Sequence, residues 1–389
     1  MPSDSDPRVV LVHDWLTGMR GGEKVLEVLC QRWQEAQLFT LLHKKGSVSP
    51  VIEGLRPHTS FLQRFPGVHN YYRYLLPLMP LAARWRIPAC DLVVSSSHCV
   101  AKSAMAPPGV PHICYCYTPM RYAWHMRSAY FGAGKRSVKA WAQDRLLAWL
   151  REWDRRTAER VTHFIAISET VRDRIRDCYD RPSTVMYPPV DTDYYTPAPV
   201  PREDFYLIMS AFAPYKRLDL AILACNRLRK NLLVIGTGQD EKRLRCMAGP
   251  TVRFLGWQPD EVIRDHYRRC RALLFPGEED FGIVPLEAHA CGAPVIAFAR
   301  GGATETVIPP QTLAGASGSH EPTGLWFAEQ TVDCLIAALE GFEQIQEKFS
   351  PAVARRQAVR FNKRRFASEI FSFLEEVLNP KVAGNRLAA

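Results

Sequence analysis

Two glutamates separated by seven residues, Glu279 and Glu287, stand in the stretch PGEEDFGIVPLEAHACG (276–292). The apolar runs ALLF and PVIAF flank it, so it reads as a loop leaving one strand, followed by a helix leading to the next. Gly282 can take backbone angles closed to other residues, and Pro285 suits the first turn of a helix. The amides of Gly282, Ile283 and Val284 would then be unpaired donors at the positive end of that helix, able to cradle a diphosphate. Glu279 would sit in the loop and Glu287 on the first turn, so both could face one ligand. Each carboxylate could accept two hydrogen bonds from the vicinal diol of a sugar or a ribose. A solvated acidic loop beside a favourable helix start accounts for the same residues.

Other segments carry further candidates. Val9–His13 runs into Gly18, Gly21 and Gly22 and then a helix starting near Glu23, a strand, glycine loop and helix in succession. Turns use glycine anyway, so the context counts for more than the glycines. Asp14 would lie at the strand's carboxyl end. In CYTPMRYAW (116–124), Arg121 could bind phosphate or an acidic ligand, or form a structural salt bridge. Lys216 and Arg217 pair two cations before a helical pattern, where a solvated helix start is the plain alternative. Asp191-Thr192-Asp193 imitates a metal-binding DxD, but it follows Pro188-Pro189 where aspartate favours turns, and it is rejected as a metal site. No histidine pairs with Cys or Asp at a metal-ligand spacing, and neither metal nor cofactor is expected.

These residues need elements to hold them. Short apolar runs alternate with longer helical patterns, the signature of a parallel α/β protein. In the first half the strand candidates are Val9–His13, Gln37–Leu42, Asp91–Ser96, His112–Tyr117, His163–Ile167 and Thr184–Tyr187. In the second they are Phe205–Ser210, Asn231–Gly236, Val252–Gly256, Arg271–Phe275 and Pro294–Phe298. Both halves therefore read as doubly wound sheets, whose ligands sit beyond the carboxyl ends of the strands. The proline-rich Pro188–Pro201 is the linker candidate, with the boundary placed at 197/198. Ser350–Leu378 reads as one or two basic amphipathic helices.

With these elements in place, the sequence resembles the retaining glycosyltransferases of family 4. The resemblance rests on EEDFGIVPLEAHACGAPVIA with GGATETV after it, on VHDWLTGMRGGEKVLE, CYTPMRYAW, FIAISETVRDRI and MYPPVDTDYY, and on SAFAPYKRLDLAI. Within that family it looks most like bacterial polysaccharide and O-antigen mannosyltransferases. The resemblance implies a GT-B fold: two Rossmann-like domains, 1–197 on the acceptor side and 198–363 on the nucleotide-sugar side. They would face one another across a cleft, with the C-terminal helix (364–389) returning to the first. It implies that Glu279 contacts the donor sugar, Glu287 holds the ribose and Lys216 neutralises the diphosphate. An arginine that many members carry five residues before that lysine is Ala211 here, and Arg217 is the candidate to replace it. The catalytic set is thus Glu279, Lys216 and Arg217. The donor-binding set is Glu287, Phe281, Gly282, Ile283, Val284, Gly21 and Gly22. The acceptor side is Asp14, Tyr117 and Arg121, where Tyr117 replaces a histidine common in related sequences.

Composition limits the alternatives. The net charge of +10 favours anionic partners, a nucleotide diphosphate or a membrane surface among them. No nucleic-acid-binding module is recognisable. The longest apolar runs fall short of the ~20 residues a membrane span needs, so a cytoplasmic protein, at most peripheral on the inner face of a membrane, is expected. Lys135–Arg160 is basic with Trp141, Trp149 and Trp153 interleaved, a face suited either to a membrane interface or to packing on the sheet. Eleven cysteines without a CxxC pair read as buried free thiols. The donor is expected to be a nucleotide-diphosphate sugar, GDP-mannose by the resemblance, and the acceptor a glycan or a lipid-linked glycan. A UDP-sugar-dependent transferase, a sugar-nucleotide epimerase and a silent binding protein of the same fold are the other readings.

Overall fold

A computed structural model describes residues 7–124, 138–310 and 321–379. The chain divides into two units, one of residues 1–188 with 366–389 and one of 189–365.

The first unit is built on a seven-stranded sheet, all of whose paired neighbours are parallel. Its strands are β1 (Val9–His13), β2 (Gln37–Thr40), β3 (His58–Thr59), β4 (Leu92–Ser97), β5 (His112–Cys116), β6 (His163–Ala166) and β7 (Ser183–Val185). They lie in the order β3-β2-β1-β4-β5-β6-β7. β1, β4 and β5 are buried at every position, as strands covered on both faces must be. The helix Lys363–Leu378 buries Phe366, Ile370 and Leu374, one side of a helix at a spacing of four. Phe366 meets Tyr115, and Phe371 meets Trp33.

The second unit carries six strands: β8 (Tyr206–Met209), β9 (Leu232–Ile235), β10 (Val252–Gly256), β11 (Ala272–Phe275), β12 (Val295–Phe298) and β13 (Gly324–Phe327). Their order is β10-β9-β8-β11-β12-β13, again parallel. The two sheets thus share the doubly wound design.

The division falls at Pro188/Pro189, nine residues before the expected 197/198. The shift has a packing cause: Val190 bridges to Asn362, and Tyr195 is buried with its ring 5.9 Å from that of Tyr267. The linker residues therefore belong to the second unit's core. Asp191 forms a turn there, accepting from the Tyr194 amide at 3.0 Å and pairing with Lys363. All eleven cysteines are free, nine of them buried.

Candidate active site

In the second unit the loops after β8, β11 and β12 gather at the carboxyl edge of the sheet. The loop after β11 ends at Gly282, whose φ of 92° starts the helix Ile283–Ala290. A Cβ on Gly282 would come within 3.2 Å of the Phe275 ring and would need that same left-handed backbone. The helix starts two residues before Pro285, so Glu287 falls on its second turn and not on the first, as expected from Pro285. Among the described residues, the amides of Gly282, Ile283 and Val284 have no hydrogen-bond acceptor. They form a set of free donors at a positive helix end.

Lys216 ends the turn Pro214–Lys216 that follows β8, and its ammonium forms an ion pair with Glu279. Both side chains are mostly covered, at 15% and 21% exposure. Gly277 makes this approach feasible: a Cβ there would lie 2.9 Å from Lys216 Cα. The loop is clamped from the other side by Gly301 and Gly302. The Gly302 amide donates to the Glu279 carbonyl at 2.8 Å, and a Cβ on Gly302 would sit 2.2 Å from Phe281 Cα. These three glycines escaped the sequence reading as site residues. The Pro-Gly pair directly after β11 and the Gly-Gly pair separated by two residues from the end of β12 were the available signal.

Glu287 is buried at 3% exposure and accepts a long hydrogen bond, 3.4 Å, from the Tyr267 hydroxyl. Burial, with the Glu287 charge second, pushes the Tyr267 and Tyr195 hydroxyls up, so both remain donors. The two glutamates therefore have different partners: Glu279 holds a cation, Glu287 a phenol.

Two expectations are corrected. Arg217 does not join Lys216, because its guanidinium is bound to both oxygens of Asp219 and to the Gln330 carbonyl. Its φ of 52° marks it as the hinge between the turn and the helix Leu218–Leu228. Phe281 is a packing residue, 3% exposed with its ring 5.8 Å from that of Phe361, and only its backbone lines the loop. Ala211 is exposed and leaves the missing arginine's place open.

In the first unit the carboxyl edge is organised by Asp14, the residue after β1. Asp14 is fully buried and accepts the amides of His98, Cys99, Val100 and Ala101 at 2.6–2.9 Å, with His98 Nδ1 at 3.0 Å. Burial pushes its carboxyl up, but the His98 imidazole and the backbone amide outweigh this and hold it below the ordinary carboxylate range. A carboxylate so saturated fixes the loop after β4 and has no capacity left for an acceptor, contrary to expectation. Tyr117 is likewise committed. Its hydroxyl donates to the Gly22 carbonyl at 2.9 Å and meets Ser96 Oγ at 2.7 Å, and Ser96 in turn meets His13 Nδ1 at 3.1 Å. Gly21 and Gly22 open the helix Gly21–Arg32, and a Cβ on Gly22 would touch the Tyr117 ring at 3.4 Å. Arg121 heads the short helix Arg121–Trp124 and is half-buried.

Behind this edge lies a buried ion pair, Lys102 Nζ to Asp154 Oδ1 at 2.6 Å. The other Asp154 oxygen accepts from Trp124 Nε1 and the Tyr179 hydroxyl. Among the described residues no group of three or more His, Cys, Asp or Glu is placed to hold a metal. A cavity of about 360 Å³ in the second unit lies at the opposite, amino edge of its sheet, lined by Arg202, Asp204, Arg271, Pro294 and Phe349 among others. Arg271 is neutralised there by Asp204 and Glu343, so the cavity offers no free charge of its own at that side chain.

Comparison with known proteins fits this two-part construction. Residues 19–194 match the family described as Glycosyltransferase Family 4, and residues 197–356 that described as Glycosyl transferases group 1. The chain belongs to the glycosyltransferases of this group 1 and family 4 type. It is similar to the GDP-mannose-dependent alpha-(1-6)-phosphatidylinositol monomannoside mannosyltransferase of Mycolicibacterium smegmatis, at 28% identity over 39% of this chain and 48% of that one. It is also similar to the D-inositol 3-phosphate glycosyltransferase of Kineococcus radiotolerans, at 30% identity over 48% of this chain and 50% of that one. The chain thus spans about half the length, or less, of the curated relatives it matches. Among solved structures it resembles Anabaena HepE in complex with UDP and glucose, with a TM-score of 0.67 and 17% identity over 95% of this chain and all of that one. The fold is of the GT-B class, two parallel-sheet α/β domains.

Proposed function

We propose that the protein is a retaining glycosyltransferase that moves mannose from GDP-mannose to a glycan or lipid-linked acceptor in surface polysaccharide synthesis. The carrying observation is the pairing of Lys216 with Glu279 beside the unpaired amides of Gly282, Ile283 and Val284. A diphosphate entering there meets a cation and free donors at a helix N-terminus. In competing for Lys216 it frees Glu279 for the donor sugar's hydroxyls. Glu287 supplies the acceptor atoms for the ribose diol, its carboxylate kept in place by Tyr267.

The reaction breaks the bond from C1 to the β-phosphate oxygen, and the electron pair leaves with the diphosphate. The acceptor oxygen forms the new bond to C1 on the face the phosphate departs from, and its proton passes to the leaving phosphate. Charge gathers on that phosphate in the transition state, where Lys216 and the amides bind it more tightly than in the ground state. Glu279 orients the sugar and forms no covalent bond to it. The GDP-mannose-dependent mannosyltransferases among the relatives support mannose, and the UDP held by HepE keeps a UDP-sugar as the second donor reading.

Contact with an anionic membrane surface is part of the same reading. The helix Val138–Ala158 exposes Trp141 and Trp149 with Arg145 over the Trp141 ring, and Tyr74 and Leu81 are exposed elsewhere in the first unit. Trp153 is excluded from this face, because it packs into the core over Lys102. Lys135 of the same basic stretch lies outside the described residues. No described helix is long and apolar enough to cross a membrane.

The test is a thermal-shift screen against GDP-mannose, UDP-glucose, UDP-N-acetylglucosamine, GDP and UDP. A ligand bound only by the folded state raises the melting temperature by mass action. GDP-mannose is expected to raise it most. A response to UDP-sugars alone would replace the donor, and no response to any of the five would sink the reading.

A further inference from the structure

We infer that His98 is the residue through which the first unit binds the acceptor's hydroxyl: Asp14 holds its inner nitrogen, and its outer nitrogen, Nε2, forms a hydrogen bond with the sugar. The inference rests on the glycosyl-transfer reading above and adds a residue that no motif singled out.

Sheet order sets the place. From β1 the chain moves outward to β2 and β3, then returns to β4 on the other side of β1 and continues to β5. β1 and β4 therefore flank the point where the winding reverses, and open α/β sheets bind ligands beyond the carboxyl ends of such a pair. Asp14 is the residue after β1, and His98 the residue after β4.

Chemistry sets the role. An ionised carboxylate only accepts, so Nδ1 of the His98 ring carries a proton toward Asp14 at 3.0 Å, and Nε2 is the ring nitrogen left for a ligand. The ring is fixed edge-on to Trp15 at 4.5 Å and lies 6.3 Å from the Tyr117 ring. Its side chain is 31% exposed, whereas His13, His112 and His289 are buried. Nε2 has no partner among the described residues. Thr118, just after the neighbouring β5, is 3% exposed, and its buried hydroxyl is also unpartnered among the described residues. Holding the loop does not require the imidazole, because four backbone amides already bind Asp14.

Two substitutions separate the two nitrogens. In His98→Asn the amide nitrogen stands where Nδ1 stood, keeps the bond to Asp14 and removes the outer nitrogen. In His98→Gln a polar atom returns near the position of Nε2. The assay offers GDP-mannose or UDP-glucose with methyl α-D-mannopyranoside as the acceptor probe, and reads transfer and donor hydrolysis by water in the same reaction. His98→Asn is expected to raise the KM for the glycoside roughly tenfold, as loss of one hydrogen bond implies, with hydrolysis unchanged within about twofold. His98→Gln is expected to recover part of the loss. Wild-type transfer by His98→Asn overturns the inference, and so does an equal loss of transfer and hydrolysis. If the wild type turns over neither donor, it is the transfer reading that fails, and His98 is judged by labelling with diethyl pyrocarbonate. Labelling of His98 that the glycoside slows supports the assignment, and labelling that it leaves unchanged overturns it.

Discussion

Replacing Asp14 by asparagine removes one of two oxygens that share four amides evenly. Oδ2 accepts from His98 at 2.6 Å and Cys99 at 2.9 Å, and Oδ1 accepts from Val100 at 2.6 Å and Ala101 at 2.7 Å. Whichever way the new amide turns, its NH2 group faces two buried donors. A buried donor left without an acceptor costs about 1–3 kcal/mol, so two cost about 2–6 kcal/mol. That is a large part of the roughly 5–15 kcal/mol that holds a typical domain. The loss falls on the first unit alone, since all five residues lie within it. Urea unfolding followed by tryptophan fluorescence suits the measurement, because seven of the nine tryptophans belong to that unit. The fluorescence transition is expected at clearly lower urea, with limited proteolysis locating the new cuts in residues 7–124. A midpoint equal to wild type would mean that the amides find other acceptors and that Asp14 does not organise the edge.

Lys216→Ala is expected to lower turnover by about 10²–10³ while the donor's KM changes far less, because the contact strengthens as charge develops; near wild-type turnover in a steady-state assay would remove Lys216 from charge stabilisation. Glu287→Ala should weaken GDP binding roughly tenfold or more, since hydrogen bonds to a charged group are worth about 1.5–3 kcal/mol each, and calorimetry showing unchanged affinity would take Glu287 out of the site. His112 and His289 are buried neutral, and burial lowers them to about 3 and about 4. The unfolded chain therefore takes up these protons first, and stability present above the ordinary histidine range is lost as pH falls toward those values. Melting temperatures between pH 7.5 and 5 should fall accordingly, and His289→Gln should flatten the slope; an unchanged slope would place the acid sensitivity elsewhere. Trp141→Ser with Trp149→Ser should reduce cosedimentation with phosphatidylglycerol vesicles at low salt, and equal binding by the double variant would move the membrane contact off this helix.

Much of the fold was legible because buried parallel strands are written as uninterrupted apolar runs. β1 and β10 fall on the expected residues, and the nine other expected strands, β2, β4 to β9, β11 and β12, are shorter or shifted by one or two positions. β3 was missed because His58–Thr59 is two exposed polar residues with no pattern; β13, GLWF, was missed although it is as long as β8 or β11. The site was legible where a residue type has one strong use, as with a glycine that starts a helix. It was not legible where a side chain had several possible partners. Asp14 looked like a ligand-facing acid because nothing in its neighbourhood reveals four amides arriving from 98–101. Arg217 looked like a second cation until Asp219, two residues on, was seen to claim it. His98 carried no signal of its own, since its meaning depends on β1 and β4 being neighbours.

The return of the last helix to the first unit has a consequence for biosynthesis. Phe366, Ile370 and Leu374 are at most 1% exposed in the finished protein, and they cover apolar surface that the first 188 residues leave open. The ribosome reaches them only after making the whole of the second unit, residues 189–365. At about 5–20 residues per second, that interval is roughly ten to thirty-five seconds. The contiguous second unit can complete itself during this time, while the earlier-made unit waits with an uncovered apolar face. The nascent chain is thus most open to chaperone capture or aggregation around Trp33 and Tyr115. A ribosome stalled short of Phe366 should hold a first unit that proteases still cut.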